Sequence, residues 1–308
     1  MKYTEDTIKA ILDLKANGLS SRDIASLLEI SKSGVNYTIE RESSKIVNSN
    51  GPRVLIFDTE TAAATALTFG RFKVNLSQDN ILDNGGWLLC ACWRWLGEKE
   101  VHRIWLTPKE VANKDDSRLV AQLFELYEEA DAVIAHNSQG FDHKVVQTRA
   151  IINGFPPLPQ VKVLDTLLLV KKYLKLPSNR LDAIGEFFNL GRKISTGGIS
   201  LWRKVQEGDV KAMEDMVTYC AQDVDLLYEV YLRTRQLGRA GSDFNAALYY
   251  DDDKVRCRVC GSDDVEYTGR TTETSLNKFE EVRCNDCGAV HRDRKTITSV
   301  NKRKSLLA

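Results

Sequence analysis

The chain shows two kinds of hydrophobic spacing, helical near its start and strand-like from residue 53 onward. Residues 4–17 put Ile8, Ile11 and Leu12 at helical intervals and stop at Asn17-Gly18, a helix-ending pair. A second short helix follows, with Ser20 or Ser21 as its N-cap and Ile24, Ala25, Leu27 and Leu28 inside it. Ser31 can cap a third, KSGVNYTIERE, in which Val35 and Ile39 lie one turn apart. Residues 43–52, SSKIVNSNGP, are polar and read as a linker.

From Arg53 the pattern changes. Val54, Leu55, Ile56 and Phe57 in RVLIFDTET predict a strand over 53–58, buried on both faces. GWLLCACWRW (86–95) and KEVHRIWL (99–106), joined around Gly97, predict a hairpin beside it. Residues 61–85 read as an insertion with few apolar residues, a loop over the site. A helix over 117–130 leads to a strand at 132–137, and helices follow near 141–153, 163–174, 180–189 and 209–236. Three strands, a helix, another strand and then helices predict an α/β sheet of mixed strand direction. GRAGSDFNAALYYDDD reads as a second linker. Beyond it, DVEYTG, FEEVRC and AVHRDR have strand character.

Composition narrows the function. The chain has 308 residues, 43% apolar and 28% charged, as an ordinary soluble protein does. Its formal net charge of zero argues against a protein held to nucleic acid by overall basicity. Residues 254–308 carry twelve basic and eight acidic side chains, so a positive patch belongs at the C-terminal end. MKYTEDTIKA is charged from its second residue, and no apolar run approaches the ~20 residues of a membrane span. The expectation is a cytoplasmic protein with no membrane partner. Seven cysteines in such a chain suggest metal or structural roles before disulfides.

The strand at 53–58 raises the chemical question. Asp58 and Glu60 lie two apart, so their carboxylates project from one side of the strand. Two like charges a few ångströms apart are tolerated best with a cation between them, and hard oxygen donors suit Mg²⁺ or Mn²⁺. HNSQGFD (136–142) sets Asp142 at or near a helix start. YCAQD (219–223) puts Tyr219 and Asp223 on one helical face. By itself an acid pair after an apolar strand is equally a plain strand end.

In chain order these are D-x-E, N-x-x-x-F-D and Y-x-x-x-D. The set resembles the proofreading 3′–5′ exonucleases with four acids and a tyrosine, the DEDDy group of the ribonuclease H-like superfamily. The likeness covers about residues 53–237. WLLCACWRWLGEKEV and VLDTLLLVKKYLKLPSNRLDAIGEFFNLG look like the exonuclease domains of family B polymerases and their phage-encoded stand-alone relatives. The resemblance implies two Mg²⁺ (or Mn²⁺) ions, with Asp58 bridging both, Glu60 and Asp223 supporting the first, and Asp142 reaching the second directly or through water. Tyr219 would orient the attacking water; a free phenol near pKa ~10 is a poor base at neutral pH. Asn137 would hydrogen-bond the terminal sugar or hold a loop, and Phe141 would stack on the last base or pack under its helix. Thr59 and Thr61 would meet the terminal 3′-hydroxyl. Asp165 would support the site or cap a helix. His136 and His143 lack the company of a zinc site and read as structural.

CRVCG (257–261) and CNDCG (284–288) are two knuckles whose four thiols, Cys257, Cys260, Cys284 and Cys287, suit one structural, tetrahedral Zn²⁺. The unit resembles a zinc ribbon, and so small a segment needs the metal to fold. Arg292, Arg294 and Lys295 follow it and could neutralise phosphates, a protein-docking role for the ribbon being the alternative. The N-terminal helices resemble the helix-turn-helix of resolvases and transposases, with Lys32, Ser33, Asn36 and Tyr37 facing a groove. Glu29 stands where that motif's turn usually has Gly. A helical cap or dimerisation element is the plainer reading.

The resulting division is 1–45 helix-turn-helix, 46–52 linker, 53–237 exonuclease, 238–253 linker, 254–296 zinc ribbon and 297–308 basic tail. The fold expected is a ribonuclease H-like mixed sheet flanked by helices, with a small all-α and a small β module. The resemblance implies release of nucleoside 5′-monophosphates from a DNA 3′ end, with a single strand or duplex end as partner. RNA, or a replication or repair protein, is a further partner, and a bacterial or phage-encoded protein in host cytoplasm is the expected setting. A nucleic-acid-binding regulator with an unused nuclease fold and a structure-selective endonuclease are the rival readings.

Overall fold

Val54–Phe57 carry no polar side chain, and a strand with two apolar faces is stable only at the middle of a covered sheet. That is where the chain puts them, all four buried. The computed structural model describes residues 3–16, 19–32, 34–35, 38, 51–70, 72–138, 140–191, 198–238 and 244–306. It falls into two compact units, 1–51 with 248–253, and 52–247 with 254–308.

In the smaller unit, α1 (Glu5–Ala16) and α2 (Ser21–Leu27) pack around Ile11, Ile24, Ala25 and Val35. Ser20 is the N-cap, its hydroxyl accepting from the Asp23 amide at 3.3 Å. The Ser31 hydroxyl accepts the Gly34 amide at 3.0 Å in the same way. Glu29 has φ +54°, the left-handed conformation a glycine would take without strain. Most of the expected third helix, including Ser33, Asn36 and Tyr37, lies outside the described residues; Lys32 is exposed.

The larger unit is built on a five-stranded sheet. Its strands are β1 (Val54–Thr61), β4 (Leu88–Trp95), β5 (His102–Trp105), β6 (Ala132–Ala135) and β7 (Lys162–Asp165), in the order β5-β4-β1-β6-β7. β1 runs antiparallel to β4 and parallel to β6; β4–β5 is antiparallel and β6–β7 parallel. The sheet is thus mixed, flanked by helices, and the α/β expectation holds. The helices of this unit are α3 (Pro108–Asn113), α4 (Ser117–Glu129), α5 (Asp142–Ile152), α6 (Thr166–Tyr173), α7 (Leu181–Phe187), α8 (Ile199–Gln206) and α9 (Val210–Thr234).

Several boundaries differ from those expected. β1 continues through both acids to Thr61, with a register shift at Glu60/Thr61, so the carboxylates stand within the strand. KVLD, expected at the start of a helix, pairs with β6 as β7, and the helix begins after Asp165 caps it. The short helix α8 carries no separate signal in the sequence. The 61–85 insertion holds two short paired strands, β2 (Thr65–Ala66) and β3 (Ile81–Asp83), where a plain loop was expected. It is also richer in apolar residues than the reading allowed: Leu67, Phe69, Phe72 and Leu76 are all exposed.

A buried ion pair locks α4, α5 and β4 together. Asp116 is fully buried and takes two bonds from Arg149, at 2.6 and 2.7 Å, one from the Leu88 amide and one from Asn153, both at 2.9 Å. Every acceptor direction of that carboxylate is used, which is what makes its burial tolerable.

The C-terminal strands β8 (Val265–Glu273), β9 (Lys278–Cys284) and β10 (Val290–Thr296) form an antiparallel sheet in the order β10-β9-β8. A short helix, α10 (Val300–Lys304), follows in the segment read as a basic tail. Leu164, Leu169, Tyr231 and Phe244 line one small void with Val259 of the first knuckle, so the cysteine end of this module meets the end of α9.

Candidate active site

The site is assembled where β1 meets α9. Alternation along β1 points Asp58 and Glu60 to the face that α9 covers, and Asp223 comes from α9 itself. The three carboxylates each offer an oxygen within 4.8 Å of the others, a spacing that could hold a metal ion. Beneath them the cross-strand partners of Asp58 and Glu60 are Cys92 and Cys90, both fully buried. Cys220 of α9 completes this floor, its Sγ 3.6 Å from Asp58 Oδ2 and 3.5 Å from the Asp58 carbonyl. Burial pushes the Cys220 thiol well above its ordinary pKa, so it stays a neutral donor beside the acid. The acids therefore stand on an apolar base and face outward.

Thr59 lies between the two acids on the opposite face of β1. It is buried, and its hydroxyl donates to Asp142 Oδ1 at 2.9 Å. That bond commits the side chain expected to meet a 3′-hydroxyl. Asp142, at the first turn of α5, is buried and stands outside the three-carboxylate group among the described residues. Burial raises its carboxyl to about 6, with the Thr59 hydroxyl acting in the opposite direction.

A tight turn delivers Asp142. Asn137 takes φ +66°, and its carbonyl accepts from both Gly140 and Phe141 at 2.9 Å. Its amide donates to Asp165 Oδ1 at 3.0 Å, and the same oxygen caps α6 through the Leu167 amide at 2.9 Å. Asp165 thus caps a helix and fastens the turn at once. Phe141 is 43% exposed. His136 lies between Thr166 Oγ1 and the Asn179 carbonyl, both at 2.9 Å, and His143 bonds Tyr127 at 3.1 Å.

Helix α8 supplies residues that sequence reasoning missed. Trp202 Nε1 donates to the Thr61 carbonyl at 3.2 Å, and its ring meets Tyr219 edge-on with centroids 6.4 Å apart. Gln206 grips Ala63 through both amide and carbonyl, each at 3.0 Å. These two side chains join the end of the acid-bearing strand to the helix that carries Tyr219 and Asp223. The only signal for them in the sequence is a Trp and a Gln one helical turn apart, with nothing to name their target.

The second candidate metal group is the four cysteines, whose Sγ atoms all lie within 4.8 Å of one another. Cys257 approaches Cys287, and Cys260 approaches Cys284, each at 3.6 Å. Gly261 and Gly288, after each pair, take φ +80° and +74°, conformations that close the knuckles and that a β-carbon would strain. Contact with Cys257 and burial push the Cys260 thiol up to about 12. A divalent cation would reverse that cost by holding the thiols ionised. His291 Nε2 sits 3.2 Å from Cys257 Sγ, beside the cluster.

Comparison with curated proteins found no match. The structure of the family B DNA polymerase from the hyperthermophilic archaeon Pyrobaculum calidifontis is similar at 16% identity and a TM-score of 0.43, covering 60% of this chain and 25% of that one. This chain therefore spans about a quarter of that polymerase's length. The RNase_H_2 family model, described as RNase_H superfamily, matches residues 83–234. Asp142, Tyr219 and Asp223 fall inside the match, whereas Asp58 and Glu60 precede it and are joined to it by the pairing of β1 with β4 and β6. Residues 83–234 carry a domain of the RNase_H superfamily.

Proposed function

We propose that the protein is a divalent-metal-dependent 3′–5′ exonuclease that hydrolyses the terminal phosphodiester of a DNA strand and releases nucleoside 5′-monophosphates. The observation that carries this reading is the convergence of Asp58, Glu60 and Asp223, from one strand and one distant helix, within 4.8 Å. Three carboxylates so close repel one another, and hard divalent cations such as Mg²⁺ or Mn²⁺ are the natural counter-charge. Bound there, such cations would neutralise the phosphoryl oxygens and acidify a nearby water.

The chain's own residues do the rest. Asp58, Glu60 and Asp223 hold the cations, with Asp142 contributing from beside Thr59. Tyr219, one turn before Asp223, orients the water that attacks phosphorus. Trp202 limits where that phenol can go. The exposed ring of Phe141 offers a stacking face for the terminal base, and Asn137 and Thr61 border the terminal sugar. The four cysteines hold a structural Zn²⁺. The N-terminal helices, read from the sequence as a helix-turn-helix, recruit nucleic acid, with the exposed Lys32 as a contact.

The test uses a 3′-labelled single strand with Mg²⁺, comparing the full chain with Asp58→Ala. Mononucleotide release by the parent and a loss of at least about a thousandfold in the variant are expected, since one cation loses its main support. Equal release by both, or none by either, removes the assignment. A circular strand should resist digestion, and its cleavage would mean an endonuclease. A labelled RNA strand beside the DNA one reads out sugar preference.

A further inference from the structure

The C-terminal sheet has a feature that the three-carboxylate site does not use. A cavity of about 530 Å³ opens between the first cysteine knuckle and the edge strand β10. Four arginines line it: Arg256 just before the knuckle, Arg258 within it, and Arg292 and Arg294 from β10. Asn245 adds a neutral amide, and Asp293 is the one acid on the wall. That acid is already engaged, accepting from the Tyr267 hydroxyl at 2.8 Å and from the Lys295 amide at 3.0 Å. Arg258 Nε is buried with no hydrogen-bond partner among the described residues. Arg292 and Arg294, two apart on a strand, project together and are exposed, with Arg292 also lying 4.5 Å over the Phe279 ring.

We infer that this cleft is a binding site for the phosphodiester backbone of a nucleic acid strand. Clustered guanidinium groups repel one another. Arg256 is held by the Gly261 carbonyl at 2.8 Å and lies 3.9 Å from Asp263. A wall that adds Arg258, Arg292 and Arg294 beside one committed acid is charge-complementary to an anion. Guanidinium forks match phosphate oxygens, and the volume lies within the range of ligand-binding cavities. The exposed pair on β10 leads out of the cavity along an open edge, which suits a chain of phosphates better than a single enclosed one. The inference rests on the nuclease reading, to which it adds a second grip on the substrate.

The experiment uses the full chain, loaded with zinc and without added magnesium, and a 5′-fluorescein-labelled 20-mer of thymidine. Anisotropy is followed across NaCl concentrations. Paired Arg258→Gln and Arg292→Gln substitutions should weaken binding about tenfold and lower the salt slope by about 1.4, since each single-strand phosphate contributes about 0.7. Arg294→Gln, at an exposed position where loss of fold is not at issue, should lower it by about 0.7. Zinc content and melting temperature establish that the paired variant is folded. Parental affinity and slope in both variants overturn the inference. So does binding of polyglutamate in place of the oligonucleotide, which would mean an acidic protein partner. Failure of the nuclease reading has another signature: no magnesium-dependent nucleotide release by the parent while the anisotropy differences persist.

Discussion

Asp58 and Glu60 share a face of β1 while Thr59, between them, faces the other way and holds Asp142. One strand therefore serves two groups of acids through simple alternation. Trp202 is the side chain that ties this strand to Tyr219. Trp202→Phe keeps the ring but removes the indole donor to the Thr61 carbonyl. Under the proposed function it should lower kcat about tenfold with KM nearly unchanged, because a displaced water costs rate more than binding. A change in KM alone would mean that Trp202 serves substrate binding instead. Glu29 shows the cost of the wrong residue in a turn. Its φ of +54° is strained for any side chain with a β-carbon. Glu29→Gly should raise stability by about 0.5 kcal/mol, relief of strain exceeding the entropy glycine brings, and Glu29→Val should lower it by about 1 kcal/mol. Urea denaturation of the full chain checks both signs.

At the scale of elements, the Asp116 network keeps α5 in place, and α5 begins with Asp142. Arg149 of α5 and Asn153, its C-cap, both bond the buried Asp116 carboxylate, as does the first residue of β4. Removing one member of a buried ion pair strands the other charge. Asp116→Ala should therefore cost about 3–5 kcal/mol, whereas replacing Asp116 and Arg149 together by apolar residues should cost less than the single change. A double-mutant cycle by denaturation measures this, and additive costs would mean that the pair is not coupled. This network was illegible beforehand because Asp116 sits in ANKDDSRL, a polar stretch that reads as an exposed helix start. Burial of an acid depends on what other segments bring to it.

Across the whole molecule, the C-terminal sheet is held by four thiols and by contact with the end of α9. Its strands expose most of their side chains, and its buried cluster is Cys257, Cys284 and Ala289. With so little apolar burial, a metal held by the four thiols would be the main source of stability. Titrating the thiols with a mercurial in the presence of a zinc indicator should release one equivalent per chain and lower the melting temperature. Release of none would leave the cysteines as an ordinary thiol cluster.

Motifs confined to one segment were readable from residues alone. D-x-E after an apolar run, a Tyr and an Asp four apart, and two C-x-x-C-G knuckles each state their geometry locally, because strand alternation and helical periodicity are properties of the backbone. The strand pattern likewise disclosed a mixed α/β sheet. What no segment contains is its neighbour. The thiol floor under the acids, the separation of Asp142 from the trio, the clamp from α8 and the ring of arginines all require pieces distant in sequence to meet. Those meetings follow from hydrophobic burial summed over the entire chain, which gives no local mark at the residues it brings together.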